Sequence, residues 1–166
     1  MNIIIESTLK TLRKSQLLLD ALSDETLCNT SVSPYYSSIG THIRHILDFY
    51  DCILNERENG SIDLTVRSRN KDVETKCCYA QSYLKVIIEK LEHFSNDIDD
   101  VVIVVDDLGL GKIEMKYTYA AALSQANSHA IHHYAIINYI LDRLGVKITD
   151  EDFGFNPTTP KESLLN

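Results

Sequence analysis

Six histidines stand among the 166 residues of this chain, and five of them fall in two short stretches. His129, His132 and His133 lie in Ser128-His129-Ala130-Ile131-His132-His133, and His42 and His45 lie in Thr41-His42-Ile43-Arg44-His45. Imidazole is a common ligand of borderline divalent metals and the side chain that changes charge nearest neutral pH. Histidines clustered in this way point to metal binding. His129 and His133 are four residues apart. On a helix that spacing sets two imidazoles side by side, with about 5–6 Å between Cβ atoms, close enough to chelate one ion. Two core histidines bonded to neighbouring side chains would show the same spacing, so the pair alone does not make a site.

On a helical wheel His129 and His133 fall with Ala122, Ala126, Ile136 and Ile140, all within roughly 80° of one another. The two imidazoles thus sit in an apolar stripe whose alanines leave space around them, and His132 points to the flank. In the other stretch the apolar stripe is Ile39, Ile43, Ile46, Tyr50 and Ile53. His42 lies near its edge and His45 further round, beside Phe49 and Cys52, and the wheel does not choose between them. A third imidazole from a facing helix would complete a three-histidine set. Three protein ligands with open positions is the arrangement of a catalytic metal site, where bound water becomes a nucleophile or a thiolate binds. Asp48, one turn after His45, is placed either to orient an imidazole or to stand as an ordinary solvated carboxylate. His93 reads as an exposed last-turn residue that complements a helix dipole.

Other residues carry less chemistry. Arg44, Arg67 and Arg69 are candidates for holding an anionic substrate or the carboxylate of a thiol cofactor, and Arg44 stands beside the histidines in sequence. An isolated arginine is otherwise a solvated surface charge. Tyr134 and Tyr139 read as packing residues. Gly109 and Gly111 form a Gly-x-Gly with no helix directly after it, so the amide nest of a phosphate loop is missing. No Gly-x-Ser-x-Gly occurs, and none of the four cysteines has CxxC spacing or an adjacent base. The cysteines read as reduced, mostly buried thiols.

Four stretches with helical periodicity position these residues. The first runs from about Ile5 to Leu27 and the second from Ser33-Pro34 to about Arg57, with Ser as cap and Pro at the first helical position. The third runs from about Asp72 to Phe94, and the fourth from about Tyr119 to Leu144, closed by Gly145. Before the fourth, a β-branched run at Val101–Val105, a turn-rich Asp106–Gly111 and an alternating Ile113, Met115, Tyr117 predict a β-hairpin. The connection from Gly60 to Lys71 is long enough to cross along a bundle. The expected fold is an all-α four-helix bundle with one long crossover and a small β-hairpin insertion before the last helix. It is expected to occupy residues 1–166 as a single domain, with an irregular tail from 150 to 166 that Phe153 and Phe155 pin to the surface.

Composition narrows the function classes. The net charge is −8 and no basic stripe occurs, which argues against nucleic acid and anionic lipid as partners. No apolar run approaches the ~20 residues of a membrane span. The start, MNIIIESTLK, lacks a basic segment and a cleavage site, so the expected location is cytoplasmic.

The stretches SSIGTHIRHILDFYDCIL and SHAIHHYAII together resemble the histidine pattern of the DinB/YfiT-like proteins, and EDFGFNPTTP resembles the DFG-x-x-P-S/T ending of one subgroup. The resemblance spans nearly the whole chain. It implies a four-helix bundle with one metal-binding histidine on the second helix and an HxxxH pair on the last. Carried over residue by residue, His45, His129 and His133 fall on the three ligand positions; His42 does not, although it lies close by. The implied cofactor is a divalent ion, zinc, nickel or iron, with a low-molecular-weight thiol as a second candidate. Family activities include metal-dependent hydrolysis, glutathione-like thiol transfer and maleylpyruvate isomerisation, all on small molecules. The resulting expectation is a metal-dependent hydrolase or small-thiol transferase. The alternative is a non-catalytic bundle with a structural or degenerate site that acts through a protein partner, and a homodimer is plausible in either case.

Overall fold

The computed structural model describes residues 2–55 and 60–160. Asn2 starts α1 (Ile3–Ala21) by accepting the Ile4 amide on its side chain. Ser23 then caps a one-turn α2 (Asp24–Leu27) by accepting the Thr26 amide. After a turn comes α3 (Ile39–Leu54), capped by Ser38, which accepts the Thr41 amide. The strand β1 (Ser61–Asp63), a short α4 (Lys71–Thr75) and α5 (Cys77–Glu92) follow. The hairpin β2 (Val101–Asp107) and β3 (Lys112–Thr118) leads directly into α6 (Tyr119–Leu144). Thr118 caps α6 at its start, and Gly145 ends it in the left-handed region at φ 68°.

The four longest helices pack in a ring, α1 against α5 and α6, and α3 against the same two. Their apolar stripes meet in one core. It includes Leu9, Leu12 and Leu19 of α1, Ile39, Ile43 and Ile46 of α3, Leu84, Ile87 and Leu91 of α5, and Leu123, Ile137 and Leu141 of α6, each at most 2 % exposed. Burying each such side chain stabilises the fold by about 1.5–3 kcal/mol before chain entropy is counted. The sheet has the order β1-β2-β3, with β1 parallel to β2 and β2 antiparallel to β3. Val102 and Val104 of β2 and Ile62 of β1 point into the core, which gives the hairpin the packing surface it needs.

The chain is therefore mostly helical with a small three-stranded sheet, and the all-α expectation is corrected to that extent. The hairpin and α6 lie where the pattern predicts. The crossover contains a strand that pairs with the hairpin. The first and third predicted helices are each broken in two. The second begins at Ile39, not at Pro34: residues 33–35 form a turn, and Tyr36 has φ 51°, outside the helical region. Its predicted end near Arg57 lies outside the described residues. In the tail, Phe153 is buried with its ring 4.8 Å from that of Tyr134, whereas Phe155 is exposed. Gly154 follows at φ 82°, and a Cβ there would lie 2.9 Å from the Tyr134 carbonyl oxygen, so only glycine lets the tail close onto α6.

Candidate metal centre

His45 on α3 faces His129 and His133 on α6. His45 Nε2 lies 2.8 Å from His129 Nε2, and His129 Nε2 lies 3.2 Å from His133 Nε2. One nitrogen from each ring falls within 4.8 Å of the others, and all three residues are half-buried. Among the described residues this is the one group of three or more His, Cys, Asp or Glu side chains arranged to hold an ion. Three neutral imidazoles suit zinc, nickel or iron better than magnesium or calcium, which prefer oxygen. No carboxylate or thiol of the described residues joins the set, and an ion with only three protein ligands would keep positions open for solvent or substrate.

The helix positions explain the convergence. The centre of the buried stripe on α6 is Leu123, Ala126, Ala130, Tyr134, Ile137 and Leu141, one residue round from the stripe the sequence suggests. His129 and His133 flank that stripe at the α3 side. They are close enough to the core to be desolvated and far enough from it to meet solvent. Burial disfavours the charged form of all four clustered histidines. It pushes His45 down to about 3, helped by the positive charge of Arg67 and by His129. It pushes His133 down to about 2, helped by His129 and His45. His129 and His42 are lowered mainly for the same reason. Neutral imidazoles are the form that binds metal.

Two neighbours fix ring orientation. His42 Nδ1 lies 2.8 Å from His133 Nδ1, and His42 Nε2 lies 2.8 Å from the Ser37 hydroxyl. His42 is thus placed behind His133, on the ring nitrogen turned away from the cluster, where a hydrogen-bond partner orients an imidazole. Arg67, on the segment after β1, brings Nη1 to 3.0 Å from His45 Nδ1 and donates from Nε to the Leu64 carbonyl. Its guanidinium lies 6.0 Å above the Phe49 ring, which itself packs 4.9 Å from the His129 ring.

The remaining candidates lie elsewhere. Arg44 is not available to a substrate: it donates from Nε to Glu74 and from Nη1 to Asp48, each at 3.0 Å, and its side chain is 11 % exposed. Asp48 touches no imidazole. It is 1 % exposed and accepts hydrogen bonds from Arg44, from the Tyr83 hydroxyl and from the Arg69 amide. Asp48 therefore organises Arg44 and the loop, neither orienting a ligand nor standing in solvent. Tyr134 is a packing residue whose hydroxyl sits 2.6 Å from Ser15 Oγ and donates to the Thr11 carbonyl, but Tyr139 is exposed. His132 and His93 are exposed, and His93 caps α5. All four cysteines are free, and only Cys52 is buried. Burial raises the Cys52 thiol to about 11. The Gly109 and Gly111 amides are taken by the Asp107 carboxylate, so they form no phosphate cradle. A cavity of about 120 Å³ is lined by Asp48, Asp51, Cys52, Asn55, Asp63, Val66 and Ser68, and none of the clustered histidines lines it.

Sequence reasoning undervalued Arg67 and missed Ser37. A period-2 signal was present upstream of Arg67: Ile62, Leu64 and Val66 alternate with Ser61, Asp63 and Thr65, the pattern of a strand that would anchor this segment. No protein-family model matches the chain, and none of the curated proteins compared with it matches.

Proposed function

We propose that this chain is a DinB/YfiT-like four-helix bundle that binds one divalent metal ion through His45, His129 and His133 and acts as a metal-dependent enzyme on small molecules. One observation carries the reading: three imidazoles from sequence positions up to 88 residues apart, 45 to 133, converge with their donor nitrogens within 4.8 Å of one another. The ring of α1, α3, α5 and α6 supports the bundle half of the proposal. The resemblance in histidine order and in the tail supports the family half. Zinc, nickel or iron held there would supply a Lewis acid that activates water or holds a thiol as thiolate.

This chain's own residues do the rest. His42 sets the ring of His133. Phe49 and the apolar flank of α6 keep the histidines desolvated and neutral. The open side of the three-ligand set admits a small substrate, and the proposed reaction is hydrolysis or transfer of a small thiol. The acidic surface suits neither nucleic acid nor an anionic membrane, and no helix among the described residues is long and apolar enough to cross a membrane.

The test is a substrate screen run on the zinc-, nickel- and iron-reconstituted protein beside His133→Ala. Panels of esters, amides and low-molecular-weight thiol acceptors cover both reaction types. We expect turnover that requires His133, lost by 100-fold or more in a variant that keeps its helical circular dichroism. Metal binding without turnover on either panel, together with a fourth protein ligand in the metal-bound structure, would make the site a structural clamp.

A further inference from the structure

Arg67 and a metal ion make opposite demands on His45. A guanidinium only donates hydrogen bonds, and it keeps its proton at any physiological pH. With Nη1 at 3.0 Å from His45 Nδ1, the imidazole nitrogen must be the acceptor. A neutral imidazole has one acceptor and one donor, so the proton of His45 is then on Nε2, the nitrogen that faces His129 at 2.8 Å. Metal binding needs the Nε2 lone pair instead. A neutral His45 that ligates through Nε2 carries its proton on Nδ1, and that N–H would point at the donating Nη1 of Arg67. The two arrangements exclude each other. His133 has no such conflict, because the His42 nitrogen beside its Nδ1 can accept.

A second contrast concerns charge. Arg44 is held by two carboxylates, Asp48 and Glu74. Arg67, half-buried, meets no carboxylate within ion-pair distance among the described residues; its contacts are the Leu64 carbonyl, His45 Nδ1 and the face of Phe49. When His45 turns to metal, Arg67 loses the one side-chain acceptor it has among the described residues and presents a guanidinium fork beside the site. That fork matches the two oxygens of a carboxylate or phosphate group.

Resting on the metal-site reading above, we propose that Arg67 is a metal-coupled oxyanion receptor. In the metal-free site it holds His45 in the non-ligating tautomer, and metal loading releases it to bind the anionic group of the substrate. The proton balance closes without a co-reactant: His45 gives up the Nε2 proton to solvent, takes one from solvent on Nδ1, and stays neutral. The substrate class is thereby narrowed to small molecules that carry a carboxylate or phosphate beside the reacting group.

The test uses the untagged full chain, zinc as the metal and acetate as the oxyanion probe. Long-range 15N–1H correlation spectra report each imidazole tautomer directly and need no variant. Metal-free His45 should show the proton on Nε2, and zinc-loaded His45 should show it on Nδ1. Zinc affinity, measured by competition with a chelator, should rise about tenfold in Arg67→Ala, since each tenfold step is roughly 1.4 kcal/mol. Zinc-loaded parent should bind acetate at least fivefold more tightly than zinc-loaded Arg67→Ala, with Arg67→Lys between them, since it keeps the charge and lacks the fork. His45 already protonated on Nδ1 without metal would overturn the proposal, as would weaker zinc binding in Arg67→Ala or equal acetate binding in parent and variant. In those cases zinc still binds the parent and the metal site stands. A parent that takes up no zinc would remove both readings together.

Discussion

His42 and His45 stand three residues apart on α3, and their neighbours alone assign them different roles. His45 meets both histidines of α6 within the donor cluster, whereas His42 meets only the back of His133. The electrostatics of the cluster has a measurable consequence in the metal-free protein. Burial holds the folded-state values of His42, His45, His129 and His133 below the ordinary 6.5. As pH falls through 6.5, the unfolded chain takes up protons that the folded chain refuses. The stability contributed by the neutral cluster is therefore complete above 6.5 and is lost progressively as pH falls toward the folded values, about 3 for His45 and about 2 for His133. Melting temperature should fall between pH 7 and pH 4, and it should fall less steeply in the His45/His129/His133 triple-alanine variant. Parallel declines would contradict this account. At this scale the HxxxH pair was legible because an i,i+4 spacing has one geometric meaning on a helix. The choice between His42 and His45 came only with the family resemblance, since both lie off the centre of the α3 stripe. Arg67 was not chosen over Arg44, because it lies just beyond the short alternating segment that anchors it, where periodicity no longer says where a side chain points.

The elements that carry the site are held by close contacts more than by helix length. Gly40 in the first turn of α3 has no room for a side chain: a Cβ would lie 2.0 Å from the Glu74 carbonyl oxygen. That approach brings Glu74 within reach of Arg44 and Thr41. Gly40→Ala must drive α4 away from α3, and overpacking of this kind costs about 1–3 kcal/mol. Thermal unfolding should show a drop of several degrees; an unchanged melting temperature would mean that the α3–α4 contact yields freely. The helix breaks have equally local causes. Lys76 is extended at φ −131°, ψ 118°, and Asp24 accepts both the Cys77 amide and the Lys76 ammonium, which makes the interruption between α4 and α5 stable. Periodicity does not show such a break, because both halves keep the same buried face. The Ser33-Pro34 pair misled for a related reason: Ser before Pro starts a turn as well as a helix, and Ser38 was the cap in use. The hairpin and α6 were legible because Gly145 and the alternation from Ile113 to Tyr117 each fix one geometry, while the Thr118 cap of α6 is a structural finding. The three-residue β1 leaves only a short alternation in the sequence, and its pairing with the parallel β2 is seen only in the fold.

Over the whole molecule, the core and the histidine cluster are distinct. The hydrophobic core is built of aliphatic and aromatic side chains, with all four long helices contributing, and none of the clustered histidines belongs to it. Chelation should therefore lower stability by linkage alone and leave the fold intact. A ligand present at 100 times its Kd contributes about 2.7 kcal/mol. For a chain of this size that corresponds to roughly 5–10 °C in melting temperature. Loss of helical circular dichroism on adding a chelator at room temperature would instead make the metal part of the folding machinery. The central claim, that His45, His129 and His133 together bind one ion, is tested most directly by elemental analysis of the untagged protein beside the His45/His129/His133 triple-alanine variant, both after reconstitution and gel filtration. The account predicts close to one divalent ion per chain in the parent and none in the variant, with both proteins folded. Equal metal content in the two, or none in the parent after exposure to zinc, nickel and iron, would contradict it.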